Sequence, residues 1–185
     1  RGIDIILSGM AIVILSPLLL FLCIAIKLDT PGPILFKQKR VGIHRSFFQI
    51  YKFRTMRIDT PKDVPTHMLE NPEQYITKVG KFLRKTSLDE LPQIFNIFKG
   101  EMSIVGPRPA LWNQDDLVAE REKYGANDVT PGLTGWAQIN GYRGDTSIMK
   151  RIEYDLYYIE NWTIGLDIKI LILTFFKGFI NKNAY

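Results

Sequence analysis

The sequence predicts an α+β fold, mostly helical and carried on a membrane segment. Three observations point there: an apolar run without charge from Ile5 to Ile26, a pair of strand-like runs around Gly42, and helix-like periodicity through much of the rest. The 185 residues hold one ordinary domain beside the membrane segment, hardly two. We therefore divide the chain into a membrane helix, residues 1–28, and one further unit, residues 29–185. The net charge of +5 suits nucleic acid, an anionic leaflet or a phosphorylated substrate, and does not choose among them. The lone cysteine, Cys23, rules out an intramolecular disulfide and the cysteine-based zinc spacings. An initial arginine in place of methionine fits a domain cut from a longer protein.

At 1.5 Å per residue the run from Ile5 to Ile26 just crosses a hydrocarbon core of about 30 Å. It ends in Lys27-Leu28-Asp29-Thr30-Pro31, not in a small-residue cleavage site, so it is no secretory signal. Within it, Pro17 removes a backbone donor and clashes with the preceding turn, so a kink is expected at Ser16-Pro17. Length alone favours a spanning helix. The alternative is a re-entrant one, in which the Ser16 hydroxyl rescues a group freed by Pro17 and both flanks lie on one face.

Beyond the Thr30-Pro31-Gly32-Pro33 turn, a β-hairpin is expected around Gly42. In its second arm Phe48, Ile50, Lys52 and Arg54 alternate with Phe47, Gln49, Tyr51 and Phe53, so Lys52 and Arg54 share a face that could meet a phosphate. Residues 59–72 read as a polar surface loop, and Lys78 to Lys85 as a basic helix. A short amphipathic helix follows from Pro92 to Lys99, with Leu91, Ile94, Phe95 and Phe98 on one stripe and Gly100 as its stop. Gly106-Pro107-Arg108-Pro109 is a rigid loop, and a polar helix is expected over residues 111–124. Residues 131–144 are rich in turns. The stretch Ile148 to Phe179 reads as helix with a surface able to lie on a bilayer.

Chemistry concentrates at Ser87-Leu88-Asp89-Glu90-Leu91-Pro92. Ser87 and Glu90 have the spacing of a capping box, which would make the acids a helix-start device and nothing more. A helix starting at Pro92 instead leaves both acids just outside its N-terminus, where backbone donors and a divalent cation would stabilise charge on a phosphate under attack. Aspartate is a competent nucleophile toward phosphorus. Lys52, Arg84, Arg108 and Arg143 are the cations such a site would need, although each alone reads as a surface residue. His44 and His67 have no ligand-like spacing. Walker, dinucleotide and G-x-S-x-G motifs are absent.

Tyr51-Lys52-Phe53-Arg54-Thr55-Met56, Ser87 to Gln93, Gly106-Pro107-Arg108-Pro109 and Pro131-Gly132-Leu133-Thr134-Gly135, in this order, strongly resemble the bacterial sugar transferases, the monotopic phosphoglycosyl transferases. The resemblance implies a cytoplasmic-face catalytic domain at the bacterial inner membrane and a re-entrant membrane helix broken at Ser16-Pro17. It implies Asp89 as nucleophile and metal contact for Mg²⁺, with Glu90 as its partner in the dyad. Lys52, Arg84 and Arg108 would bind phosphate groups, as would Arg143, which an intervening Tyr142 displaces from its place in small members. The reaction implied moves a hexose-1-phosphate from a UDP-sugar to undecaprenyl phosphate through an aspartyl-phosphosugar, releasing UMP and starting exopolysaccharide, capsule or O-antigen synthesis. Gly141 to Asp145 and the Asn183-Ala184-Tyr185 ending resemble the large members, favouring UDP-glucose or UDP-galactose. Membrane lipid is then a partner, nucleic acid is not, and a homodimer is allowed. Two other readings stay in play: a non-catalytic membrane-bound module that binds polyanions, and a glycosyl transferase that moves the sugar without its phosphate.

Overall fold

The computed structural model describes residues 1–61, 64, 66–142 and 146–180. Its first element, helix α1 (Gly2–Asp29), is long and apolar enough to cross a membrane, with a mean hydropathy of 2.7 and only 17% of its most apolar stretch buried. Val13, Ile14, Leu20 and Phe21 are all exposed. The expected break at Ser16-Pro17 does not interrupt the helix, which runs through Pro17. Proline at 17 leaves the carbonyl of Val13 without its usual donor, and the Ser16 hydroxyl supplies one at 2.8 Å. Serine before proline thus satisfies the group that the proline orphans.

Both ends of α1 are tied to the rest of the chain. Near its start, the Asp4 carboxylate accepts from the Ser103 hydroxyl (2.7 Å) and the Ile104 amide (3.2 Å). At its end, Asp29 accepts from the Val79 amide (3.1 Å). Between them α1 packs along two further helices, α2 (Lys78–Thr86) and α3 (Gln93–Lys99).

The hairpin forms as expected. Strands β1 (Leu35–Val41) and β2 (Phe47–Phe53) are antiparallel, with Phe36 opposite Lys52 and Arg40 opposite Phe48. Phe48 and Ile50 turn inward with Lys52, and Lys37 and Gln49 turn out. Arg54 does not join Lys52 in an anion site. Its guanidinium is buried and donates to the carbonyls of Pro31 (2.6 Å) and Thr30 (2.7 Å), fastening the hairpin to the end of α1. Gly80 of α2 meets the end of β2 so closely that a Cβ would lie 2.0 Å from the Thr55 carbonyl oxygen, which leaves room only for glycine.

α3 differs from its expected stripe. Its inward side is Gln93, Ile94, Asn96 and Ile97, whereas Phe95 and Phe98 are exposed, Phe98 lying against Gly9 of α1. Asn96 is fully buried because its amide replaces sheet partners: it accepts from the Tyr51 amide and donates to the Gln49 carbonyl. Gly100 ends the helix in the left-handed region, as expected.

The remaining elements are β3 (Ser103–Val105), α4 (Asp115–Lys123), β4 (Gly132–Thr134), α5 (Trp136–Ile139), α6 (Ile148–Glu160) and α7 (Ile164–Ile180). β3 and β4 pair in parallel, a contact absent from the turn-rich reading of residues 131–144. A Cβ on Gly132 would sit 2.0 Å from the Gly106 amide nitrogen, so this pairing is packed glycine on glycine. The last helical stretch is two helices. α7 buries Ile170 in the core and exposes Ile164, Ile168, Ile172 and Phe176 at four-residue spacing, an apolar stripe suited to a bilayer surface.

Candidate active site

The two acids occupy a single 3-10 turn, Leu88–Glu90, between α2 and α3. Ser87 closes α2 in the left-handed region, its amide donating back to Arg84, and makes no side-chain cap. The capping box therefore does not form. With Pro92 as N-cap, α3 begins after both acids. Leu88 and Leu91, on either side of the pair, pack into the cluster of Leu22, Ile26, Phe53 and Leu83. The acids are thereby anchored beside the second half of α1.

Glu90 is the hub. Its Oε1 accepts from Lys52 Nζ of β2 at 2.8 Å and from Arg108 Nη2 at 3.1 Å. Burial opposes its charge, but Lys52 and Arg108, with their hydrogen bonds, outweigh burial and hold the carboxyl well below the usual range. Asp89 behaves oppositely. Burial and the adjacent Glu90 push its carboxyl up, against Lys52, Arg84 and its own backbone amide. Arg84, in the last turn of α2, is braced by a 2.9 Å bond from Nε to the Thr55 hydroxyl. Lys52, Arg84 and Arg108 are thus gathered around the pair, while Arg143 lies outside the described residues. Two neighbouring carboxylates are held in opposite electrostatic states: one saturated by cations, the other lacking a full complement.

Residues 1–181 match the bacterial sugar transferase family. The chain belongs to that family. It is 45% identical over 197 residues to the UDP-glucose:undecaprenyl-phosphate glucose-1-phosphate transferase of Escherichia coli (strain K12), covering 100% of this chain and 41% of that protein. A UDP-N-acetylgalactosamine-undecaprenyl-phosphate N-acetylgalactosaminephosphotransferase of Aeromonas hydrophila is 41% identical over 179 residues, covering 94% and 42%. The exopolysaccharide production protein PSS of Rhizobium leguminosarum bv. phaseoli is 40% identical over 196 residues, covering 97% of each chain. The chain thus spans about two fifths of the length of the first two relatives and nearly all of the third.

In this sugar transferase the site includes a cation that sequence patterning alone does not reveal. Arg40 is on the same hairpin face as Lys52, and its charge is felt by Lys52. Burial, then Arg108, pull its guanidinium down to about 9 against Glu90, so it stays protonated at neutral pH. The alternation of Lys37 and Lys39 with Gln38 and Arg40 carries the signal, but it cannot be used without the hairpin register. Four cations, Arg40, Lys52, Arg84 and Arg108, therefore surround two carboxylates, an excess of positive charge suited to a diphosphate.

Among the described residues no group of three or more His, Cys, Asp or Glu side chains could hold a metal alone. Mg²⁺ commonly takes one or two carboxylates and completes its shell with water and substrate phosphates. The sugar transferase pair fits such an ion: Asp89 has the carboxylate whose charge is under-compensated, and Glu90 Oε1 is already engaged.

Proposed function

We propose that this chain is the catalytic part of a phosphoglycosyl transferase that moves a hexose-1-phosphate from a UDP-sugar, UDP-glucose in the first instance, to undecaprenyl phosphate at the cytoplasmic face of the bacterial inner membrane. The observation that carries this reading is the Asp89–Glu90 turn, with one acid locked by Lys52 and Arg108 and the other left under-compensated among cations. The names of the relatives supply the substrates.

In this reading Arg84, Arg108 and Lys52 bind the diphosphate of the donor. An oxygen of Asp89 attacks the β-phosphorus, the bond from that phosphorus to the UMP oxygen breaks, and UMP leaves with the electron pair. The acyl-phosphate so formed is then attacked at phosphorus by undecaprenyl phosphate, which gives the lipid diphosphosugar and restores Asp89. Mg²⁺, held by Asp89, would supply charge neutralisation on the phosphate oxygens. The step starts a polysaccharide chain on a lipid carrier, in keeping with the exopolysaccharide name of one relative. Phosphate transfer and sugar transfer differ in the nucleotide released. Purified protein given UDP-glucose and undecaprenyl phosphate should release UMP in step with lipid product; release of UDP would refute the proposal.

The same reading puts both ends of α1 on one face of the membrane. Asp4 and Asp29 would lie about 37 Å apart on a straight axis, yet both bond to the one domain that packs along the helix between them. A spanning helix would draw part of that domain, including the buried polar Asn96, through the hydrocarbon. In vesicles, thiols placed singly at Gly2 and Thr30 in a Cys23→Ser background should react with an impermeant reagent from the same side. Reaction from opposite sides would mean a spanning helix.

A further inference from the structure

The loop Gly106-Pro107-Arg108-Pro109 carries Arg108 to the acids, and its two prolines have no amide to donate. It is held instead by its carbonyls. Four in succession are each claimed by a donor: Pro107 by the Gly132 amide of β4 (2.9 Å), Arg108 by Arg121 Nη1 of α4 (3.0 Å), Pro109 by Arg40 Nη1 of β1 (3.1 Å) and Ala110 by the Val41 amide (2.9 Å). Two of the four donors are guanidinium groups, that of Arg121 buried and that of Arg40 partly buried. Arg121 is the more telling, because its Nη2 pairs at 2.8 Å with Asp155 of α6, the two side chains being 5% and 2% exposed. A charge placed so deep is costly, and breaking such a pair is more so.

We propose that Arg121, held by Asp155, is a positioning residue for Arg108. The fork of Arg121 joins a carboxylate on α6 to the backbone oxygen of Arg108 itself, so the guanidinium that touches Glu90 starts from a fixed point. Proline on each side of Arg108 removes the backbone freedom that would otherwise dissipate this constraint. The inference rests on the reading of Arg108 as a diphosphate ligand. If that reading holds, misplacement of Arg108 by a fraction of an ångström to an ångström costs turnover and leaves the fold intact.

The test uses a paired apolar replacement. A buried ion pair exchanged as a unit for apolar side chains commonly keeps or raises stability, so the full chain carrying Arg121→Met and Asp155→Leu should fold, melting below wild type only by what the buried Arg151 loses with the Asp155 charge. It has no donor for the Arg108 carbonyl, so UMP release from UDP-glucose should fall about 10- to 100-fold, chiefly in kcat. In an Arg108→Ala background the same pair of replacements should have little further effect, since nothing remains to be positioned. If the folded double variant turns over like wild type while Arg108→Ala is impaired, positioning is refuted and the diphosphate reading stands. If Arg108→Ala itself turns over like wild type, both fall. Equal losses with and without Arg108 would reduce Arg121 to a structural role and also overturn the proposal. Should the double variant not fold, Asp155→Asn, which keeps the shape of the partner and weakens its hold on Arg121, goes through the same cycle: a loss of turnover that vanishes without Arg108 supports positioning, and no loss, or an equal loss in both backgrounds, overturns it.

Discussion

Asp89→Asn should abolish sugar-phosphate transfer, by about a thousand-fold or more, and at neutral pH should melt higher than wild type. The first effect follows from the loss of the oxygen proposed to attack phosphorus. The second follows from the cost of keeping that oxygen charged. Burial, then the neighbouring Glu90, raise the Asp89 carboxyl in the folded state. A carboxyl raised on folding contributes stability that is fully present below its unfolded value of about 3.9 and is lost as the pH rises through its folded value. Asparagine has no charge to lose. In metal-free buffer the melting temperatures of variant and wild type should therefore lie close together near pH 4 and separate as the pH rises. An Asn variant that melts lower at neutral pH would show that Asp89 is a structural acid.

Glu90→Gln should be equally damaging to turnover and opposite in its effect on stability. Glu90 Oε1 is the shared acceptor of Lys52 and Arg108, and all three side chains are at most 27% exposed. A neutral amide removes the carboxylate that Lys52 and Arg108 share and leaves them, facing each other and Arg40, with Asp89 as the remaining acid of the site. Partial exposure reduces the penalty of a fully buried pair to about 2 kcal/mol, or roughly 4–8 °C in melting temperature for a chain of this size. Burial raises the Glu90 carboxyl, but the cations lower it further. Such a group contributes stability present above its unfolded value of about 4.3 and lost as the pH falls through the lower folded value. Calorimetry should thus find the gap between wild type and Glu90→Gln widest near neutrality and closing in acid. A variant as stable as wild type at pH 7 would rule out the hub.

How far the sequence discloses this arrangement depends on the range of the interaction involved. Asp89, Glu90 and the Pro92 boundary are local, and the turn is legible without tertiary knowledge. Lys52 is legible from strand alternation, and Arg84 and Arg108 through motif resemblance. Arg40 lies beyond reach because the hairpin register decides its face, and Arg54, on the same alternation, is spent on carbonyls of the preceding turn. The ties of Arg121 to Asp155 and to the Arg108 carbonyl join residues far apart in sequence, for which no period exists. The stripe of α3 departs from expectation for another reason. Phe95 and Phe98 face out, Phe98 beside the long apolar helix α1, and periodicity alone cannot separate an apolar face that is buried from one that is exposed. The Asn96 side that is buried has the polarity of a solvent side. Pro17 is legible as a backbone defect, and the Ser16 bond explains why the helix continues through it.

In this account the Asp89 carboxylate becomes bonded to phosphorus during turnover. The 185-residue chain mixed with Mg²⁺ and UDP-glucose labelled in the sugar, without acceptor, should acquire one hexose phosphate that peptide mapping places on Asp89, release a matching amount of UMP and lose the label when undecaprenyl phosphate is added. Labelled protein absent under conditions where the same preparation turns over with acceptor, or label on any residue other than Asp89, would contradict it.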